Sequence, residues 1–182
     1  MTLEALATQG QTTVYDSLAA SIGPKIREIR KAYIKESFAG FQQTEHRLET
    51  VANIHGIEFI NDSRSTTING TWFAMESTLR PLIWIAGGVD NGNDFTTLRH
   101  LVRNNVKGII CLGLDNSRIH EAFDELDLPM LDVVKMVDAV QAAYYLGARG
   151  DVVLLSPACA SFDLFENFEE RGIAFRNAVK NL

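Results

Sequence analysis

The sequence has few cysteines, few histidines and fewer basic than acidic residues, and each shortage argues against a class of protein or site. Its two cysteines, Cys111 and Cys159, each lie in an apolar run, which favours buried unpaired thiols over a disulfide or a metal site. Lysine and arginine number 17 against 23 acidic residues, a net charge of −6 that disfavours a nucleic-acid partner. The four histidines show no metal-ligand spacing, so we expect no metal site: His46, His55, His100 and His120.

Two further absences concern membranes and nucleotides. No run approaches the roughly 18 consecutive apolar residues of a membrane helix, and no basic segment leads into an apolar one. We therefore expect a soluble cytoplasmic protein without membrane contact. The pattern GxxxxGK[ST] is absent, so the chain lacks the usual cradle for nucleotide phosphates. A hydrophobic share of 46% and 182 residues fit one globular domain with a core, plus a remnant.

Apolar runs that end in glycine or serine alternate with helical patterns from residue 46 onward. Runs that are apolar on both faces predict parallel strands at 81–86, 108–112 and 151–155. Shorter runs predict a β-hairpin from 49–54 and 57–61, and a weaker strand at 131–134. Helices are expected at about 68–79, 94–104, 117–126, 136–146 and 161–180. The sequence therefore predicts an α/β, Rossmann-like fold with a mostly parallel sheet of about six strands and helices on both faces.

The first helix of this pattern has a predicted apolar face and a predicted polar face. The candidate core positions are Trp72, Phe73, Met75 and Leu79. The expected polar positions are Asn69, Thr71 and Ser77.

The first forty residues have a polar, helical sequence pattern that differs from that of the rest of the chain. A loop runs into a helix at 10–20, and Pro24 opens a second helix, because proline at the first helical turn costs no hydrogen bond. This polar helical segment has no strand partner of its own. We expect residues 1–40 to be the helical tail of a domain that begins upstream, 41–182 to be a separate domain, and Met1 to be a boundary.

Ligands of such sheets bind at the carboxyl ends of the strands, which directs attention to the loops that follow them. The loop at 62–67 offers the carboxylate of Asp62, four hydroxyls and Arg64 before a helix, a set that suits an anion or a ribose. The alternative is that Thr66 or Thr67 only caps that helix.

Each of the other loops can likewise be interpreted as a ligand site or as a purely structural feature. The glycines of 87–94 allow close approach to a ligand or a tight turn, with Asp94 as a helix cap. In the small-residue loop 156–161, Ser161 stands at the expected helix N-cap, where it could hold a carboxylate or only cap. Cys159 has no neighbouring histidine and is read as a buried thiol. Arg47 could reach a phosphate with Glu49 orienting it, or form a surface ion pair worth about 0–1 kcal/mol.

Several segments together resemble the C-terminal domain of the Mur ligase family, over about residues 40–182. The block Ser-Pro-Ala-Cys-Ala-Ser with its Phe-Glu-x-Arg-Gly continuation is the most specific and resembles the D-glutamate-adding branch. Residues 1–39 are similar to the end of that family's central ATP-binding domain. The segments that carry the resemblance are 46–49, 59–63, 87–88 with 94–95, 154–163 and 165–172.

The resemblance implies a reaction. In the complete enzymes, ATP with Mg²⁺ phosphorylates the carboxylate of UDP-N-acetylmuramoyl-L-alanine, and the amine of D-glutamate attacks the acyl phosphate. The implied partners of this chain are those small molecules and the N-terminal and central domains of the same protein, as a monomer. The chain alone is expected to be inactive and to supply no catalytic residue.

The resemblance also implies residue roles. Arg47 would contact the nucleotide at phosphate and Asp62 at ribose. Thr66 and Ser161 would bind the carboxylates of D-glutamate through their hydroxyls, and Phe168 would bind it through its backbone and by shaping the pocket.

The sequence departs from the family pattern in four places. Arg64 replaces a lysine and keeps a charge with different geometry. Asn91 replaces the glycine-loop lysine that pairs with the D-glutamate side chain, and it can donate a hydrogen bond but not a charge. Thr67 replaces an asparagine, and 10–16 lacks the family's histidine and asparagines. Two alternatives therefore stay open, a non-catalytic ligand-binding module and a ligase with a changed amino-acid substrate.

Overall fold

The computed structural model describes residues 45–182, which lie within one compact unit, Gln43–Leu182. The helices predicted at 10–20 and from Pro24, and the helical tail assigned to 1–40, lie outside the described residues. Within the described part, no helix has both the length and the apolar character needed to cross a membrane.

Six strands and five helices alternate along the described chain. Strands β1 to β6 are Glu49–Ile54, Ile57–Asn61, Leu82–Ala86, Val106–Leu112, Met130–Val133 and Val152–Leu155. Helices α1 to α5 are Ile68–Ser77, Arg99–Asn105, Ser117–Phe123, Met136–Leu146 and Phe168–Lys180. Short 3₁₀ helices at Phe95–Leu98 and Asp124–Leu126 precede α2 and follow α3.

The strands form one sheet in the order β1-β2-β6-β3-β4-β5. β1 pairs antiparallel with β2, and every other neighbouring pair is parallel. The central strands β3 and β6 are buried at every position, as expected for strands covered on both sides. The predicted Rossmann-like fold with a mostly parallel six-stranded sheet is confirmed.

Two apolar cores lie on the two faces of the sheet. Trp84 of β3 points to the face covered by α1, α2 and α3, and its ring meets Phe123 edge-on at 5.7 Å. Ile83 and Ile85 point to the opposite face, where α4 and α5 pack. The alternation along β3 follows from the two-residue period of a strand.

The last predicted helix was placed too early in the chain. α5 begins at Phe168 and not at residue 161, because the side chain of Asn167 accepts a hydrogen bond from Glu170 N at 2.7 Å. Asn167 has extended backbone, with φ −157°, which interrupts any helix arriving from upstream. Ser161 closes only one turn, its carbonyl accepting from Leu164 N and Phe165 N.

Two positions of the helix predicted at 68–79 also differ from the prediction. Leu79, expected in the core, lies beyond the end of the helix and is 98% exposed. Thr71, expected on a polar face, is fully buried and donates to the carbonyl of Ser156 at 3.1 Å. A threonine can enter a core in this way because its hydroxyl finds a partner there.

Candidate functional site

The carboxyl ends of β3 and β6 lie side by side at the middle of the sheet. The helix that follows β3, α2, packs on one face, and the helix that follows β6, α5, packs on the other. The chain therefore leaves these two strands in opposite directions, which opens the crevice where such sheets bind ligands. The two loops meet through a small bridge, with Val89 N donating to Ala160 O at 2.9 Å.

The glycines at the end of β3 serve this contact between loops. Gly87 and Gly88 have φ of +121° and +124°, and a Cβ on Gly88 would lie 2.1 Å from the carbonyl oxygen of Ala160. Only glycine fits both the backbone conformation and the space. The close approach allowed by these glycines is thus to the neighbouring loop.

Asp62, at the end of β2, points into the fold. Its Oδ2 accepts from Ser156 Oγ at 2.8 Å and its Oδ1 from Leu48 N at 3.3 Å, and the residue is 2% exposed. Burial raises the pKa of Asp62 to about 6, against the hydrogen bonds and the charge of Arg47, which lower it. The carboxylate holds three chain segments together, so its expected contact with ribose stays a prediction.

Arg47 lies beside this carboxylate. Burial lowers the pKa of the Arg47 guanidinium, while Asp62 opposes that shift and Arg64 adds to it. Arg64 N donates to the carbonyl of His46 at 3.1 Å, which ties the segment before β1 to the loop after β2. Glu49 pairs with Arg176 at 2.9 Å. Arg47, Asp62 and Arg64 therefore form one electrostatic group, as needed for an anion site.

Phe168 is brought to the same group. The guanidinium carbon of Arg64 lies 5.7 Å from the centre of the Phe168 ring, within the range of a cation–π contact. The carbonyl of Phe168 accepts from Ser63 Oγ at 2.8 Å. Arg64 and Phe168, two of the predicted D-glutamate residues, thus stand together at the start of α5.

Arg171 connects the loop after β2 with the loop after β6, a role that the sequence did not reveal. Its Nε donates to Ser63 Oγ at 3.0 Å, its Nη2 to Ser63 O at 2.9 Å and its Nη1 to Cys159 O at 3.1 Å. The residue is 1% exposed. Burial lowers the pKa of Arg171 to about 10, so it remains charged at neutral pH. A buried positive charge therefore underlies the crevice.

The remaining predicted residues lie around the rim. Thr67 caps α1, its hydroxyl accepting from Gly70 N at 3.3 Å, so the cap interpretation holds for Thr67 and leaves half-buried Thr66 outside it. Asp94 caps the first 3₁₀ helix, as expected. Ser161 is buried next to the bridge residue Ala160 and is not the helix cap that it was expected to be.

The glycine loop, residues 87–94, is approached by a cation from α3. Asn91 is exposed, two residues beyond Val89. Arg118 of α3 reaches this loop, with its Nε 3.9 Å from Asp90 Oδ2 and its Nη2 donating to Asn93 O at 3.5 Å. Arg118 therefore places a cation near the position where the family pattern has a lysine.

One sequence signal for this packing was available. Gly172 is a glycine within α5, a costly residue in a helix. A Cβ at that position would lie 2.3 Å from His46 Nδ1, so the glycine makes room for the buried imidazole. Asn61 fixes the same contact, because its amide reaches His46 Nδ1 at 2.9 Å and Gly172 O at 3.1 Å.

Comparison with curated proteins gives close relatives over the whole chain. A UDP-N-acetylmuramoylalanine–D-glutamate ligase of Christiangramia forsetii is 50% identical over 177 residues, 97% of this chain and 40% of the relative. The ligases of Bacteroides fragilis and Salinibacter ruber are 47% and 41% identical over the full chain, covering 41% and 40% of their own lengths. Over its whole length the chain is therefore similar to part of the D-glutamate ligases of the Mur family. No family model matches the chain.

The chain spans about 40% of the length of the curated relatives that it matches. Solved structures of Mur ligases share its fold at low identity. The murein peptide ligase of Psychrobacter arcticus has a TM-score of 0.55 at 13% identity, over 81% of this chain and 32% of that one. MurF of Acinetobacter baumannii has a TM-score of 0.54 at 12% identity, over 78% and 32%.

Proposed function

We propose that this chain forms the C-terminal, amino-acid-binding domain of an ATP-dependent ligase. That ligase joins D-glutamate to UDP-N-acetylmuramoyl-L-alanine through an acyl phosphate, in the cytoplasmic synthesis of peptidoglycan precursors for wall growth, cell shape and division. The observation that carries the proposal is the crevice at β3 and β6, rimmed by arginines, in a chain half identical to such a ligase. Residues 1–40 are assigned to the end of the ATP-binding domain and 41–182 to this domain.

The chemistry explains why a crevice rimmed by arginines suits this reaction. An acyl phosphate and a dicarboxylate amino acid must be brought together against their mutual repulsion. Catalysis of phosphoryl and acyl transfer of this kind is chiefly positioning and electrostatic stabilisation. Arg47 and Arg64 supply positive charge at the rim, and the buried charge of Arg171 adds to it.

Each predicted residue keeps its place in this proposal. Arg47 binds a nucleotide phosphate, and Asp62 contacts ribose or holds the segment that carries Arg47. Thr66, Ser161 and Phe168 bind D-glutamate, with Arg64 and Asn91 at its side-chain carboxylate. ATP and Mg²⁺ would be bound mainly by the central domain. Asp62 fits Mg²⁺ poorly, because both its oxygens already accept hydrogen bonds within the fold.

The proposal predicts phosphate release that depends on D-glutamate. The protein to test carries this chain together with its ATP-binding domain, or is a chimera in which the chain replaces the matching 40% of the C. forsetii ligase. With ATP, Mg²⁺ and UDP-N-acetylmuramoyl-L-alanine, release should occur with D-glutamate and stop without it.

Other outcomes of the same experiment favour the alternatives. Release driven by a different amino acid would indicate a changed substrate. A folded protein that binds ATP but releases no phosphate, whichever amino acid is added, would favour a non-catalytic binding module. Tight ATP binding serves as the control for folding and assembly in both cases.

The position of Asn91 gives a sharper test of substrate recognition. Replacing Asn91 with lysine is expected to lower KM for D-glutamate about tenfold or more with little change in kcat. The added hydrogen bond would join two charged groups, which contributes about 1.5–3 kcal/mol. Measurement of initial rates against D-glutamate concentration checks it.

Asn104→Lys adds the same charge on the exposed surface of α2 and should leave KM unchanged. If Asn91→Lys raises KM, the loop does not face the amino-acid side chain. In that case the cation at Arg118 becomes the candidate for carboxylate recognition, and Arg118→Ala should raise KM instead.

A further inference from the structure

The unit β4–α3–β5 brings three metal-binding side chains together, next to the strand β3 that borders the crevice. Cys111 lies near the end of β4, His120 on α3 and Asp132 on β5. One ligand atom of each lies within 4.8 Å of the others. Cys111 and Asp132 are register partners on neighbouring parallel strands, so they project to the same face of the sheet, and α3 covers that face.

The surroundings resemble the outer shell of a metal site. His120 Nε2 lies 3.0 Å from Asp132 Oδ2, and His120 Nδ1 faces Asp124 Oδ1 at 3.6 Å. Histidines that bind a metal through one ring nitrogen usually direct the other to a carboxylate or carbonyl. Asn116 Nδ2 donates to Asp132 Oδ1 at 2.9 Å and fixes the orientation of that carboxylate.

A route from solvent to the cluster is present. His120 and Asp132 line a cavity of about 490 Å³, together with Gly113, Asn116, Ser117 and Asp138. Cys111 lies fully buried behind them. An ion entering from the cavity would therefore meet the imidazole and the carboxylate first and the thiol last.

We propose that Cys111, His120 and Asp132 bind one ion of the Zn²⁺ class, with a fourth position open to water from the cavity. Sulfur, imidazole nitrogen and carboxylate oxygen are the ligands of Zn²⁺ and Co²⁺, whereas Mg²⁺ and Ca²⁺ take oxygen ligands. Binding forms a metal–sulfur bond and releases the thiol proton of Cys111 to solvent. His120 and Asp132 reach the surface, with side chains 31% and 57% exposed, so they can draw in to bonding distance.

The sequence makes a thiolate signal easy to assign. Cys159 is the only other cysteine, and it lies beside Asn93 and Arg171 under the crevice. The proposal does not depend on the ligase reaction, since none of the three ligands belongs to the predicted amino-acid or nucleotide site. Its failure would leave the proposed function untouched.

The test is a Co²⁺ titration of the 182-residue chain after chelator treatment. One equivalent should saturate, with a thiolate-to-cobalt charge-transfer band in the near ultraviolet, and Zn²⁺ should remove that band. Cys111→Ser should abolish the band, and His120→Ala and Asp132→Asn should each weaken Co²⁺ binding at least tenfold. Cys159→Ser and His100→Ala are the matched controls and should bind Co²⁺ as the parent chain does.

Circular dichroism establishes that each variant is folded. If Cys111→Ser fails to fold, the two surface variants decide, because neither side chain is part of the core. The proposal is overturned by the absence of a saturable band. It is also overturned if Cys159→Ser removes the band while Cys111→Ser keeps it, or if His120→Ala and Asp132→Asn bind Co²⁺ unchanged.

Discussion

Replacing Arg171 with alanine is expected to lower the free energy of unfolding by about 3–5 kcal/mol. The substitution removes three hydrogen bonds from a fully buried guanidinium, and it leaves the carbonyls of Ser63 and Cys159 without that donor. A buried polar group that loses its partner costs about 1–3 kcal/mol, so two carbonyls and a cavity account for the total. Urea unfolding followed by circular dichroism measures the change.

Arg176→Ala is the matched control on the same helix. Arg176 forms a half-buried pair with Glu49, with side chains 26% and 29% exposed, and its loss should cost about 1–2 kcal/mol. Arg171→Lys should fall between the two, since lysine keeps the charge but not the planar fork that serves Ser63 and Cys159 together. Equal losses for Arg171→Ala and Arg176→Ala would contradict the assigned role.

The position of Arg171 links stability to the proposed site. Its Nε donates to Ser63 Oγ, and Ser63 Oγ donates to the carbonyl of Phe168. Arg171 thus positions the start of α5, where Phe168 and Arg64 meet. The arginine in the Phe-Glu-x-Arg-Gly block therefore fixes the backbone of Phe168, which is predicted to bind D-glutamate.

The sheet could be predicted from the sequence because its signal is local. The run 81–86 is apolar at every position from Leu82 to Ala86, and such a run has few alternatives to a doubly covered strand. The start of α5 was misplaced by seven residues because Ser161 and Asn167 are both good caps. Only the observed hydrogen bond from Glu170 N to the Asn167 side chain shows which of the two caps the helix.

The polar interior could not be predicted, because its partners are far apart in sequence. Arg171 contacts Ser63 across 108 residues, and Ser156 contacts Asp62 across 94. Charged residues and serines are rarely fully buried, so each of these residues alone favours a surface position. The same reason hid the cluster of Cys111, His120 and Asp132, which has no metal-ligand spacing along the chain.

Asp62 should make the stability of the chain depend on pH, with a sign opposite to that of a paired surface carboxylate. Its pKa is about 6 in the fold and about 3.9 when unfolded, because burial penalises the charged form. Below about pH 3 both states are protonated and no penalty applies. Between about pH 4 and 6 the unfolded state releases this proton while the folded state keeps it, so stability falls, and the total loss is roughly 3 kcal/mol by pH 7.5, where both states are ionised.

Asp62→Asn removes this titration while keeping the size of the side chain. Relative to the parent chain, the variant should gain roughly 3 kcal/mol in unfolding free energy between pH 3 and pH 7.5. Ser77→Ala, at an exposed position on α1, changes no titrating group and should differ from the parent by a constant amount. Urea unfolding at six pH values gives all three curves.

The result also decides between the two roles open to Asp62. A rising difference means that the carboxylate lies inside the fold, where it holds Ser156 and the backbone of Leu48 and so positions Arg47. A flat difference means that water reaches the carboxylate, and Asp62 is then available to accept hydrogen bonds from ribose directly. In the first case Asp62→Asn should weaken nucleotide binding only through Arg47, so Arg47→Ala should add little to it.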